Sequence, residues 1–119
     1  LVYENERWTF DQVARHIDAL GALLVDRYGV AKGDRVAVAM RNYPEWVVAY
    51  AATVAIGAVC VPLNAWWTTE EVEYGLHQSG ARVVIADKER VERMVPLADQ
   101  LDLQVVGVRL PADLDTGAL

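Results

Sequence analysis

Two groups of side chains in this sequence could bind a ligand. Asn64, Trp66 and Trp67 lie in one short segment, where adjacent indoles could stack on a flat ring or line an apolar entrance. Arg90 and Arg93 are three residues apart, so they share one face of a predicted helix, and guanidinium groups suit phosphates. Each group also has a purely structural interpretation. One indole would fill the core while the other covers a neighbouring domain, and the arginines would pair with adjacent glutamates on the surface.

The familiar catalytic motifs are absent from the sequence. It contains no G-x-G-x-x-G after a strand, no Walker-type phosphate loop and no G-x-S-x-G elbow. His16 and His77 lack metal-ligand spacing, and Cys60 fits a small buried apolar residue. Asp87 could accept a phosphoryl group only beside an acidic pair after the first sheet strand, and Arg41 begins that segment instead. The sequence predicts no catalytic residue and no metal site.

Composition limits the class of protein. The chain has 119 residues and a net charge of −6, with a pI near 4.8, which suits one small domain and argues against nucleic-acid binding. One cysteine excludes an internal disulfide and fits a reducing, cytoplasmic location. No segment reaches the roughly 18–20 apolar residues that cross a bilayer. The chain begins at Leu1, without Met or a signal sequence, so we expect it to be a piece of a longer protein.

Turn and capping residues divide the chain into alternating helices and strands. Capping boxes at Thr9 and Thr68 each begin a helix, and Asn42 is predicted to cap a third helix that starts at Pro44. A fourth helix, 88–101, is predicted to be capped by Asp87 and to turn Val95 inward together with other apolar residues. Short apolar strands are predicted at 35–40, 59–63, 82–86 and 104–108, and the first residues as a small hairpin.

This alternation predicts an α/β fold, a parallel sheet with helices on both faces. Ligands of such sheets bind beyond the carboxyl ends of the strands, where Arg41, the segment 64–67, Arg90 and Arg109 are expected. The helix 44–56 is apolar on nearly every side, apart from Glu45, Tyr50 and Thr53, so we expect it to lie between layers or against a missing domain. The segment 109–119 has no periodicity and is predicted to be a linker or a frayed end.

Three motifs in order resemble the opening of the AMP-forming acyl-CoA synthetases, members of the adenylate-forming superfamily. They are the turn Gly29–Asp34 before an apolar strand, the motif Asn42-x-Pro44-Glu45, and Gly57-Ala58-Val59 followed by Val61-Pro62-Leu63-Asn64. The likeness runs from Val2 to Val95. It implies that residues 1–119 form part of the large N-terminal domain of such an enzyme, namely its first α/β layer.

The resemblance also implies chemistry for the parent protein. A fatty acid or another apolar carboxylate would react with ATP and Mg²⁺ to give an acyl-adenylate and pyrophosphate, and coenzyme A (CoA) would then displace AMP. The family's phosphate loop, its nucleotide-binding motifs and its lid lysine come later than this sequence. The resemblance therefore implies that the fragment is inactive alone and binds no cofactor by itself, with the remainder of the parent chain as its partner and a homo-oligomer as an option.

In some relatives of that family, the equivalents of two segments lie near the nucleotide of CoA. Carried over, these positions are Asn64, Trp66 and Trp67 in the loop, and Arg90 and Arg93 in the helix that follows the third sheet strand. Two other functions stay open at this point. One is an adenylation domain that feeds a carrier protein, and the other is a non-catalytic α/β binding or scaffold module.

Overall fold

A computed structural model describes residues 1–110 of the chain. The predicted linker 109–119 therefore lies almost wholly outside the described residues. The elements run in the order β1 (Val2–Tyr3), β2 (Glu6–Arg7), α1 (Phe10–Asp26), β3 (Arg35–Ala39), α2 (Pro44–Ala55), β4 (Val59–Pro62), α3 (Thr69–Ser79), β5 (Val83–Asp87), α4 (Lys88–Ala98) and β6 (Gln104–Val108).

Strands β3 to β6 form one parallel sheet in the order β4-β3-β5-β6, which confirms the predicted fold class. Alternate residues of each strand point to opposite faces. On one face Val36, Val38 and Ile85 pack with apolar residues of α1 and α2, and on the other Ala37 and Val84 pack with those of α3 and α4. Both faces of the sheet are therefore covered by helices, so a ligand site is expected at the ends of the strands.

The structure contains three of the four predicted helix caps, at Thr9, Thr68 and Asp87. The Thr9 and Thr68 side chains each accept a hydrogen bond from the amide three residues later, and the capping box is complete in both cases. The prediction that Asn42 caps α2 is wrong, because the N-cap is Tyr43 and its side chain makes no capping bond. Pro44 needs no donor partner at the first helical position and holds Tyr43 extended, so this helix begins without a polar cap.

Helix α2 is buried on one side and exposed on the other. Thr53 was predicted on the polar side but is fully buried, because its hydroxyl donates to the Ala49 carbonyl 2.7 Å away and so needs no solvent. Val47, Tyr50 and Val54 are each almost half exposed. These three residues, the exposed stripe of α2, are the uncovered apolar surface that the sequence predicts for this helix.

The inward face of α4 differs from the prediction at one position. Val91, Met94 and Leu97 are buried at intervals of three, whereas Val95 is 51% exposed. Val95 follows Met94 directly, so it lies about 100° further around the helix and cannot share that face. Helix α4 also ends three residues before Leu101.

Candidate functional site at the carboxyl end of the sheet

The loop 64–67 leaves the carboxyl end of β4 and leads into α3. The Asn64 side chain accepts a hydrogen bond from the Trp66 amide (2.9 Å), and the Asn64 carbonyl accepts one from the Trp67 amide (3.2 Å). Asparagine favours such local turns because its short side chain can accept from the amide two residues later. Asn64 therefore shapes the loop from within.

The two indoles of the loop have different environments. Trp67 is half-buried and packs against the core beneath α3, so closely over Gly75 that a Cβ there would lie 2.8 Å from its Cζ3 atom. Trp66 is 72% exposed. Trp67 thus fills the core as the structural alternative predicts, and Trp66 presents an open aromatic surface at the end of the sheet.

Arg90 lies inside the protein, although the sequence allowed it a surface position. Its side chain is 1% exposed. The Nε atom donates to the Ala65 carbonyl (2.7 Å), and Nη1 donates to Asp87 (3.2 Å) and to Glu89 (3.1 Å). Within residues 1–110 the buried Nη2 atom has no hydrogen-bond partner. Arg90 therefore connects α4 to the loop 64–67 and has its positive charge matched by carboxylates.

Arg93 also contacts the loop. Its Nη1 atom donates to the Trp67 carbonyl at 3.2 Å and reaches the Ala65 carbonyl at 3.4 Å. The two arginines do share one face of α4, as their spacing predicts, and that face is turned to the loop backbone. The structure thus brings together all five of the predicted site residues: Asn64, Trp66, Trp67, Arg90 and Arg93.

Asp87, which was predicted only as a helix cap, contacts both Arg90 and the backbone of Arg41. Its carboxylate, 3% exposed, caps α4 by accepting from the Arg90 amide (3.2 Å) and also accepts from the Arg41 amide at the end of β3 (3.0 Å). Nothing in the local sequence marks the second contact, because 46 residues separate Asp87 from Arg41. The only signal available was an Asp followed three residues later by an Arg.

A cleft of about 520 Å³ opens beside this loop, between the ends of β3 and β4. Its lining includes the aromatic side chains of Tyr3, Tyr43, Trp46 and Trp66. The guanidinium carbons of Arg41 and Arg90 lie 5.5 Å and 5.4 Å from the centre of the Trp66 ring, at cation–π distance. The cleft therefore offers flat apolar surface next to positive charge.

Arg109 follows the carboxyl end of β6 and binds two glutamates from other parts of the chain. Its guanidinium donates to Glu6 at 2.8 Å and to Glu45 at 2.6 Å, and it lies over the rings of Tyr3 and Tyr43. Hydrogen bonding to Arg109 lowers the pKa of Glu6, and the two glutamates raise the pKa of Arg109 above its usual range. These five residues, the Arg109 cluster, hold the β1–β2 hairpin against α2 and β6.

The remaining titratable candidates do not gather into a site. His16 is exposed and lies 4.8 Å from the Trp8 ring, while His77 is exposed near the end of α3. Cys60 is half-buried against the core, and this burial raises the pKa of its thiol. Among the described residues no group of three or more His, Cys, Asp or Glu could hold a metal ion. No helix within residues 1–110 is long and apolar enough to span a membrane.

The chain belongs to the AMP-binding enzyme family, whose model matches residues 1–117. It is 39% identical over 88 residues to the 3-hydroxybenzoate–CoA/4-hydroxybenzoate–CoA ligase of Thauera aromatica, a match that covers 74% of this chain and 16% of the relative. It is 30% identical over 113 residues to the long-chain-fatty-acid–CoA ligase of Escherichia coli O157:H7, a match that covers 94% of this chain and 20% of the relative.

Solved structures agree with this assignment. The anthranilate CoA ligase AuaEII in complex with anthranoyl-AMP superposes with a TM-score of 0.82 and 28% identity, covering 88% of this chain and 20% of that one. The coronafacic acid ligase of Pectobacterium brasiliense superposes with a TM-score of 0.84 and 26% identity, and the match covers 96% of this chain and 23% of that one. The chain therefore spans about a fifth of the length of the relatives that it matches, and has the fold of the corresponding part of adenylate-forming enzymes.

Proposed function

We propose that the whole protein is an acyl-CoA synthetase that couples an apolar carboxylate, such as a fatty acid or an aromatic acid, to CoA through an acyl-adenylate. The observation that carries this proposal is the family match over residues 1–117. The relatives' names support a CoA ligase and divide between hydroxybenzoate and long-chain fatty acid as the acid. A cytoplasmic location fits the single cysteine.

In this proposal the residues of this chain serve CoA rather than ATP. ATP and Mg²⁺ would supply the activating phosphoryl chemistry, and we expect residues outside this chain to bind them. The reason is that residues 1–110 carry no metal-ligating cluster and the sequence has no phosphate loop. The fragment alone is therefore expected to be inactive.

We place the nucleotide end of CoA near the loop 64–67. The exposed indole of Trp66 offers a stacking surface for a flat base, and cationic side chains adjoin it in the cleft. Asn64 and the α4 arginines hold the loop in its present form through their bonds to its backbone. Trp67 anchors the loop to the core.

The experiment uses the full-length protein. Pyrophosphate exchange into ATP is measured with 4-hydroxybenzoate and with a long-chain fatty acid, and thioester formation is then measured after addition of CoA. Exchange that depends on one of these acids, followed by CoA thioester, is the expected result. Acid-dependent exchange with transfer only to a carrier protein would replace CoA as the acceptor, and the absence of exchange with every apolar carboxylate would refute the proposal.

A further inference from the structure

Three arginines lie close to the loop 64–67, and they are engaged to different degrees. Arg90 donates through Nε to the Ala65 carbonyl and through Nη1 to carboxylates, and Arg93 donates through Nη1 to the Trp67 carbonyl. Arg41 is exposed, lines the cleft and makes no ion pair or side-chain hydrogen bond within residues 1–110. We propose that Arg41 supplies the cationic contact to a phosphate-bearing ligand in this cleft, and that Arg90 and Arg93 are positioning residues for the loop.

This assignment rests on the proposed function, because it names the residue that would meet the phosphates of CoA. It also differs from what the family resemblance implies, in which Arg90 and Arg93 lie near the nucleotide of CoA. The difference follows from burial. Arg90 is 1% exposed and is not part of the cleft lining, and its Nε and Nη1 atoms are already bonded to the Ala65 carbonyl and to Asp87.

The arginines also differ in how far nearby carboxylates neutralise their charge. Arg90 has two carboxylates within 3.2 Å, from Asp87 and Glu89, so a bound anion would meet little net positive potential there. The carboxylates of the Arg109 cluster are likewise matched by Arg109. Arg41 is the arginine of the cleft lining whose charge no carboxylate within 4.0 Å offsets among residues 1–110.

The backbone of Arg41 is held in place by a buried carboxylate. Its amide donates to the buried carboxylate of Asp87, the same group that holds Arg90, so the end of β3 and the start of α4 share one anchor. The guanidinium carbon of Arg41 lies 5.5 Å from the centre of the Trp66 ring. A nucleotide, with a flat base and a phosphate, is the ligand class that uses both an exposed indole and a neighbouring guanidinium.

The direct test is binding, and it does not require the reaction. The full-length protein is labelled with 5-fluorotryptophan, the resonances are assigned with Trp66→Phe and Trp67→Phe, and adenosine 3′,5′-bisphosphate is titrated. We expect the ligand to shift the Trp66 resonance of the wild type and its Kd to rise about tenfold in Arg41→Ala. This equals about 1.4 kcal/mol, the low end for a charge-assisted hydrogen bond, because Arg41 is exposed to solvent. The control is Arg82→Ala, an exposed arginine next to the opposite end of the sheet, which should leave the Kd unchanged.

The kinetic test separates binding from positioning. In thioester synthesis, Arg41→Ala should raise KM for CoA about tenfold, with kcat and KM for pantetheine, which lacks the nucleotide, within twofold of wild type. Arg93→Lys should instead shift the Trp67 resonance in the absence of ligand, because Arg93 holds the Trp67 carbonyl. Arg41→Ala should leave that resonance in place.

The outcomes distinguish this inference from the proposed function. An unchanged Kd and CoA KM in Arg41→Ala, or a rise in CoA KM in Arg93→Lys with the Trp67 resonance unmoved, would overturn the division of roles. A wild type that binds no adenosine 3′,5′-bisphosphate would overturn it as well, even if pyrophosphate exchange confirms the acyl-CoA synthetase. Conversely, binding that Arg41→Ala weakens would support the inference in a protein that shows no exchange.

Discussion

Replacing Asp87 by alanine should be among the most damaging single substitutions in this chain. The carboxylate caps α4, holds the Arg41 amide and pairs with the buried guanidinium of Arg90. Loss of the cap alone costs about 1 kcal/mol. Removing one partner of a buried ion pair costs about 3–5 kcal/mol, because the other charge is left unpaired.

The surroundings of Arg90 decide where in that range the change falls. After Asp87→Ala the guanidinium keeps the Ala65 carbonyl and the side chain of Glu89, which is more than half exposed and screened by solvent. We therefore expect a loss of about 3–4 kcal/mol in the free energy of unfolding. A domain of ordinary stability, about 5–15 kcal/mol, would lose a large share of it.

Urea unfolding followed by circular dichroism measures this loss, and a double-mutant cycle identifies its cause. Arg90→Met removes the charge and keeps much of the apolar stem, so Asp87→Ala with Arg90→Met should be less destabilised than the sum of the single changes, by about 1–3 kcal/mol. A cost below about 1 kcal/mol for Asp87→Ala, the contribution of a cap alone, would refute the buried-pair argument. Strict additivity in the cycle would refute it too.

Three further predictions concern packing, pH and association. Gly75→Ala should lower the unfolding free energy by about 1–3 kcal/mol, measured by thermal melting, because the new Cβ would overlap the Trp67 indole. The control is Gly21→Ala in α1, which should be neutral or stabilising because its Cβ would lie 3.4 Å from the nearest atom, in Ile56. The pKa of Glu6 is lower in the folded state, so its contact with Arg109 stabilises the fold above the unfolded pKa of about 4.3, and this contribution disappears as the pH falls through the folded pKa. Glu6→Gln should remove that pH dependence from the urea midpoint, and an unaltered profile would contradict it. The isolated chain 1–119 should self-associate through the exposed stripe of α2, and Val54→Lys should reduce this association in sedimentation velocity with no change in helix content.

Much of the fold could be predicted from local sequence. Capping boxes at Thr9 and Thr68, and short apolar strands separated by helices, depend on residues a few positions apart, and these predictions are confirmed. The error at Asn42 is also local, because the helix begins at Pro44 as predicted but Tyr43, held extended by the proline that follows it, takes the N-cap position. Secondary structure here follows from short-range chemistry.

The candidate site was harder to predict because its contacts are long-range. The spacing of Arg90 and Arg93 correctly placed both on one face of α4, but the adjacent glutamates suggested a solvated surface. Burial of Arg90 depends on the Ala65 carbonyl, 25 residues earlier in the chain, and no periodicity encodes such a contact. Arg41 was expected at the ligand-binding edge of the sheet, but nothing in the sequence set it apart from the other arginines until the structure showed that Arg90 and Arg93 are engaged.

The Arg109 cluster has a consequence for the order of events during synthesis. Glu6 precedes Arg109 by 103 positions, so the amino-terminal hairpin emerges from the ribosome long before its ionic clamp exists. Until β6 has been translated, the hairpin has its own short antiparallel pairing and the ring contact of Tyr3 with Tyr43, and an isolated pair of strands of that size is marginal in water. Full docking of the hairpin thus waits for β6, and we expect this segment of the nascent chain to stay open to proteolysis until then.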